Sequence, residues 1–177
     1  TKTCERFDFL KNKWGKLPDL SDRKFNTSLA LVNKVDLYCF FGVTLQKPST
    51  TTQTDKQKPM VEKYNNEIER LQLYCEKSQW EIIKVEAPFS IAMLRCNVGI
   101  VCSDNKRVYI VGGKLSSEKN AQDSLSFDPE TLTISIDKEQ AFSKGMAFNE
   151  SMFLKTGSHE FCSFNNDAKP SLAKLMY

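Results

Sequence analysis

The chain holds a single histidine, His159. Imidazole is the usual proton carrier and a frequent metal ligand near neutral pH, so one copy excludes most relay and metal chemistries. No Asp or Ser is spaced to form a relay with it. It sits in a short turn between Gly157 and Phe161, where a solvated histidine is the expectation. Six cysteines are present, Cys4, Cys39, Cys75, Cys96, Cys102 and Cys162, and none forms a Cys-x-x-Cys pair. Zinc sites want clustered Cys and His. These cysteines lie in or beside apolar runs, where free thiols behave as small hydrophobes. Inert, reduced thiols and a cytoplasmic location are expected.

No charge of one sign dominates. The 25 basic and 22 acidic residues leave a net charge of +3, too balanced to imply nucleic acid. No apolar run is long enough to cross a membrane, and no signal-peptide pattern opens the chain. Gly112-Gly113-Lys114-Leu115 lacks the outer glycine and following helix of a phosphate loop. No cofactor, metal or catalytic residue is therefore expected.

What is present is a strand signal with punctuation. Val108-Tyr109-Ile110-Val111 runs into Gly112-Gly113, and a later strand ends in Phe127-Asp128-Pro129. An Asp after a strand can accept backbone N–H groups two residues on, and Pro presets the turn. Ile134 opens the next extended stretch seven residues after Phe127. Phe7-Asp8 and Trp14 keep the same offset, Tyr74-Cys75 and Trp80 are six apart, and Phe164-Asn165 is followed by Ser171. Hairpin signals precede the later marks: Leu29 to Val32 into Val35 to Gly42, Val98 to Cys102 into Val108 to Gly113, and Gly145 to Phe148 into Met152 to Leu154. No stretch sustains a helical period, and the copies in register read as a repeat.

This order of signals resembles the kelch repeat, whose unit is an apolar strand, a strand ending in Gly-Gly, a strand ending in Tyr-Asp and a Trp on the fourth strand. The stretch from Arg95 to Pro129 carries the resemblance best, and weaker matches extend it from about Phe7 to Phe164. Departures are Phe41-Gly42 with one glycine, Tyr74 without an Asp, and Thr156-Gly157 with no later Trp. The resemblance implies an all-β, kelch-type β-propeller of about three to four antiparallel blades in an incomplete ring. The units span about 1–20, 21–85, 86–138 and 139–177. Because the chain opens on a third strand and on Thr1, further residues at one or both ends, or another chain, are expected to complete the ring. A smaller irregular β-domain and a β-sandwich with two unrelated turn glycines are the competing architectures.

The segment Val43 to Glu67 is the least regular and reads as an insertion between strands two and three of the second unit. Long loops are usually disordered or functional. Its polar first part carries Lys47, Lys56 and Lys58, and its second part carries Met60, Lys63 and Tyr64. These residues are candidate contacts for a protein partner, against the plainer reading of a solvated insertion. Arg95 is a further candidate, set against structural bonding between loops. The resemblance implies a non-catalytic protein-interaction module or scaffold. Its expected partners are cytoskeletal, ciliary or ubiquitin-ligase-related proteins, although no BTB or F-box segment is visible. The alternatives are part of a kelch-type enzyme, such as a sugar-acid isomerase whose site lies in further blades, and a structural subunit of a large assembly.

Overall fold

The computed structural model describes residues 1–46, 60–87, 94–103, 106–115, 119–121 and 123–136, together with the backbone of 152–155, 160–164 and 171–174. Every regular element among them is a β-strand, and every sheet is antiparallel. Strands β1 (Cys4–Asp8) and β2 (Lys13–Leu17) form a two-stranded sheet. Strands β3 (Ser28–Val32), β4 (Asp36–Phe40), β7 (Ile68–Gln72) and β8 (Glu81–Ile83) form a second sheet in that order. Between β4 and β7 the chain makes an excursion, β5 (Val43–Gln46) and β6 (Val61–Tyr64), which pair as a separate ribbon. The third sheet is β9 (Gly99–Cys102), β10 (Val108–Val111), β11 (Ser124–Asp128) and β12 (Thr133–Ile136), each strand beside the next. The last is β13 (Met152–Lys155), β14 (Glu160–Phe164) and β15 (Ser171–Lys174).

Local chemistry accounts for the pairings. Asn33 and Lys34, both at positive φ, make the β3–β4 turn, closed by the Val35 N–H donating to the Val32 carbonyl at 3.1 Å. Two successive positive φ values give a type I′ turn, whose twist matches that of the strands it joins. At the β11–β12 turn Asp128 Oδ1 accepts the N–H groups of Glu130 (2.9 Å) and Thr131 (3.3 Å). At the β1–β2 turn Asp8 Oδ1 accepts those of Leu10 (3.0 Å) and Lys11 (3.1 Å). Phe127 stands directly opposite Ile134, and Phe7 directly opposite Trp14. The first sheet is thus the outer half of the unit seen complete in the third.

One spacing expectation is corrected. Tyr74-Cys75 is not the counterpart of Phe127-Asp128, since Tyr74 is 74% exposed and lies past the end of β7. Phe40 opposite Ile68 matches Val111 opposite Ser124, which places Leu71 where Phe127 stands. Leu71 is buried in one cluster with Trp80, nine residues on instead of seven. The longer turn displaced the signal, and Leu71 carries the packing without an aromatic ring. In the last sheet β14 ends at Phe164 and β15 begins at Ser171. Asn165, Gly145 to Phe148 and Thr156-Gly157 lie outside the described residues.

The sheets stack face to face in chain order. One face of the second sheet (Ala30, Val32, Tyr38, Phe40, Ile68) packs on one face of the third (Val108, Ile110, Leu125, Phe127, Ile134). Phe127 meets Tyr38 and Phe40 edge-on, with ring centroids 5.4 and 5.5 Å apart. Such contacts add about 0.5–1.5 kcal/mol each beyond area burial. The other face of the second sheet packs Cys39, Leu71 and Trp80 against Leu20, Cys4 and Leu17. Ser28 Oγ donates to the Val98 carbonyl at 2.7 Å, and β3 and β9 run beside each other. Buried on both faces, β10 reads as a continuous apolar run.

Candidate protein-interaction surface

The surface is organised by the turn at the end of each second strand. Gly112 (φ 59°) and Gly113 (φ 95°) turn the chain out of β10. The N–H groups of Cys96 and Lys114 then bond each other's carbonyls at 3.0 and 2.8 Å. A Cβ on Gly113 would lie 2.6 Å from Val98 Cγ1 and 2.7 Å from the Cys96 carbonyl. The second sheet repeats this geometry with Phe41 (φ 55°) and Gly42 (φ 113°), and with Phe25 paired to Val43 at 3.0 and 2.9 Å. A Cβ on Gly42 would lie 2.6 Å from Thr27 Cγ2 and 3.0 Å from the Phe25 carbonyl. The missing first glycine is therefore no departure in backbone. Left-handed φ costs an L-residue about 1–2 kcal/mol, and burial of the whole Phe41 ring, worth about 1.5–3 kcal/mol, offsets it.

Beneath each turn lies a buried cation. Arg95, just before Cys96, is fully buried. Its Nη1 donates to the Gly112 carbonyl (3.2 Å) and Asp123 Oδ1 (3.3 Å), and its Nη2 to Asp123 Oδ2 (3.3 Å). The structure therefore places this candidate contact inside the third sheet, where a planar bidentate group clamps the turn to β11. Lys24, just before Phe25, occupies the same place in the second sheet. Its Nζ donates to Glu69 Oε1 at 2.5 Å and Glu67 Oε2 at 3.0 Å. Glu69 Oε2 accepts the Ser21 N–H at 3.0 Å, and Glu67 Oε2 also accepts Asn65 Nδ2 at 3.0 Å. Burial alone would lower the Lys24 pKa, but the hydrogen bonds and charges of Glu69 and Glu67 raise it above its ordinary value. The Asn65 amide, acting with Lys24 against desolvation, holds Glu67 below the usual carboxylate range. These groups are spent on one another, so the cluster is a structural clamp. Lys24 had no mark in the sequence, and its counterpart Arg95 was the only available signal.

From the second turn projects the β5–β6 ribbon. The expectation of an irregular segment from Val43 to Glu67 is corrected at both ends, because Val43 stands opposite Tyr64, Thr44 opposite Lys63, Leu45 opposite Glu62 and Gln46 opposite Val61. The signal on the first side was the alternation of apolar Val43 and Leu45 with polar Thr44 and Gln46, whereas Val61-Glu62-Lys63-Tyr64 carries none. Val43 and Thr44 are buried at the root, while Leu45, Met60 and Val61 are exposed. Lys63 is exposed, and Tyr64 is half-buried against the Cys96 thiol, where burial pushes its pKa up. Of the candidate contacts, Met60, Lys63 and Tyr64 thus share one ribbon, joined by Leu45 and Val61. Lys47, Lys56 and Lys58 lie outside the described residues.

An open cleft of about 650 Å³ lies between the β2–β3 connection and the β7–β8 turn, lined by Pro18, Asp19, Ser21, Glu76, Gln79 and Trp80 among others. Trp80 Nε1 donates to the Pro18 carbonyl at 3.0 Å and fixes one wall. Among the described residues no group of three or more His, Cys, Asp and Glu side chains could hold a metal ion, and His159 lies outside them. Five described cysteines are free. Cys39 and Cys96 are buried, whereas Cys75 is exposed in the β7–β8 turn, which corrects the expectation of a uniformly inert set. No helix of the described residues is long and apolar enough to cross a membrane. No protein-family model matches the chain, and no curated protein matches it.

Proposed function

We propose that this chain is a non-catalytic protein-interaction module of kelch-propeller type that binds a protein partner through the β5–β6 ribbon. The observation that carries the reading is the ribbon itself, which holds Leu45, Met60 and Val61 exposed on a root fixed by buried Val43 and Thr44. Leu45 shares one face of the ribbon with Glu62 and Tyr64, and Val61 shares the other with Lys63, so a partner that grips the ribbon from both sides meets an exposed apolar side chain and a charge on each. The shared double-glycine geometry, the Asp turns and the serial stacking of sheets support the propeller reading. Free cysteines suit a cytoplasmic setting. A cytoskeletal, ciliary or large-assembly scaffold is the role such a module would serve.

The test is quantitative capture from a native lysate, with co-sedimentation against purified actin filaments and microtubules. A chain carrying Leu45→Ser, Met60→Ser and Val61→Ser is compared with the unsubstituted one. About a tenfold loss of a captured partner, equal to about 1.4 kcal/mol, is expected with the thermal midpoint unchanged. Unchanged capture by the variant would remove the ribbon from consideration.

A further inference from the structure

The β5–β6 ribbon has one backbone edge taken and one open. On the outer side of β5 the Val43 N–H donates to the Phe25 carbonyl at 2.9 Å, and the Val43 carbonyl accepts the Phe25 N–H at 3.0 Å. Both backbone groups of Val43 thus point away from β6, and Thr44 is the residue that bonds Lys63 across the ribbon. The Asn65 N–H donating to the Gly42 carbonyl at 2.9 Å keeps the same phase. Alternation along β6 then turns the N–H and C=O of Glu62 and Tyr64 to its outer side. That side pairs with no strand among the described residues. Two donors and two acceptors in a row are what an added strand satisfies.

The side chains along that edge carry a second, independent observation. Glu62 and Lys63 are both exposed and stand on opposite faces of the ribbon. Across the ribbon they meet Leu45 and Thr44, so neither faces an opposite charge on β5. Glu67 feels the Lys63 charge but is already held by Lys24 and the Asn65 amide. Exposed Val61 and half-buried Tyr64 flank the charged pair. Opposite charges directly across two strands stabilise the pairing, and like charges weaken it. The edge therefore discriminates the charge order of whatever lies along it.

We infer that an extended strand of a protein partner adds antiparallel to the outer edge of β6, with an acidic side chain opposite Lys63, a basic one opposite Glu62, and apolar ones opposite Tyr64 and Val61. The inference rests on the ribbon reading and gives the chemistry of its partner, which in chain order is apolar, acidic, basic, apolar. The open backbone groups select a strand over a helix. Antiparallel addition is the more stable choice per residue and continues the pairing of β5 with β6. It also reaches both faces of the ribbon at once. A second copy of this chain fits the edge poorly. Residues directly opposite in an antiparallel pair share a face, so a twofold axis relating two β6 strands passes through a residue pair and never between Glu62 and Lys63. Centred on either, it sets that residue against its own counterpart, which repels it.

The probes are two backbone-cyclised hairpin peptides, added to the full chain under reducing conditions. Their outer strands read Thr-Val-Glu-Lys-Val-Thr and, with the charges exchanged, Thr-Val-Lys-Glu-Val-Thr. Fluorescence anisotropy gives the affinity, and hydrogen exchange across β6 by mass spectrometry locates the contact. The first peptide should slow exchange across β6 about tenfold, since a paired edge opens only with the local structure. It should bind about tenfold tighter than its twin, because two cross-strand pairs change from attraction to repulsion. That preference should shrink in about 1 M salt, where charges are screened within about 3 Å. Glu62→Lys combined with Lys63→Glu, both at exposed positions, should reverse the preference with the thermal midpoint unchanged, a result that misfolding does not produce. The inference is overturned by any of three results: no slowing of β6 exchange by either peptide, equal affinity for the twins, or slow β6 exchange in a dimer of the chain alone. Its failure is distinct from that of the ribbon reading. Lysate capture lost in the Leu45, Met60 and Val61 serine variant, with no preference between the twins, removes the strand and leaves the ribbon, whereas unchanged capture by that variant removes the ribbon itself.

Discussion

Gly113→Ala should be far more damaging than Gly112→Ala, although the two glycines are neighbours in one turn. Gly112 at φ 59° occupies the left-handed region that Phe41 adopts at φ 55° in the second sheet. Alanine there should cost about 1–2 kcal/mol, the ordinary penalty of that region for an L-residue. Gly113 at φ 95° lies beyond it. An added Cβ would meet Val98 Cγ1 at 2.6 Å and the Cys96 carbonyl at 2.7 Å. The valine methyl can rotate away. The carbonyl cannot, because it accepts the Lys114 N–H at 2.8 Å. Backbone strain of about 1–3 kcal/mol adds to a lost hydrogen bond of about 1 kcal/mol. The expected cost is about 2–4 kcal/mol, and the difference between the variants about 1–2 kcal/mol, roughly a 5- to 30-fold change in the folding equilibrium. Urea unfolding followed by tryptophan fluorescence measures both, with the slope checked for two-state behaviour. Equal costs, or a milder effect at Gly113, would refute the steric argument for the second glycine.

Other expectations follow from the buried groups. Lys24→Met leaves the fully buried Glu69 without its cation and should cost about 3–5 kcal/mol, and adding Glu69→Gln should recover part of it in urea melts. Glu67 has a depressed pKa, so its contribution is present above about 4.5 and lost as pH falls below that value. Glu67→Gln should therefore flatten the acid limb of a thermal-midpoint profile, by a modest amount because the side chain is partly exposed. Iodoacetamide at pH 8 should label exposed Cys75 in the native chain and reach Cys39, whose pKa burial pushes up to about 11, only after unfolding. Asp128→Ala should cost about 1 kcal/mol by freeing the N–H groups of Glu130 and Thr131, and Asp128→Asn should retain most of the stability.

Which features were legible depended on range. The Phe127-Asp128 turn and its copy at Phe7-Asp8 were readable because an Asp, its backbone donors and the opposing apolar residue lie within one short turn. The place of Leu71 was hidden, because a longer turn broke the spacing and packing accepts any large apolar side chain. Phe41 concealed a glycine position, since its strain is offset by burial that only the stacked sheets provide. The ribbon was hidden because a long polar stretch separates Val43 to Gln46 from Val61 to Tyr64, with which they pair.

The sequence by itself determined an all-β chain of antiparallel hairpins. Period-two apolar patterns, Asn and Asp turns and positive-φ glycines act over a few residues and need no distant partner. Tertiary structure alone decided what those hairpins leave exposed. Arg95 and Lys24 went inward because Asp123, Glu67 and Glu69, at or just before strands further along the chain, receive them. Leu29 and Leu31 stand outward beside a sheet that has two strands among the described residues. Burial depends on what another part of the fold lays over a residue, and a residue's own neighbours in sequence do not record it.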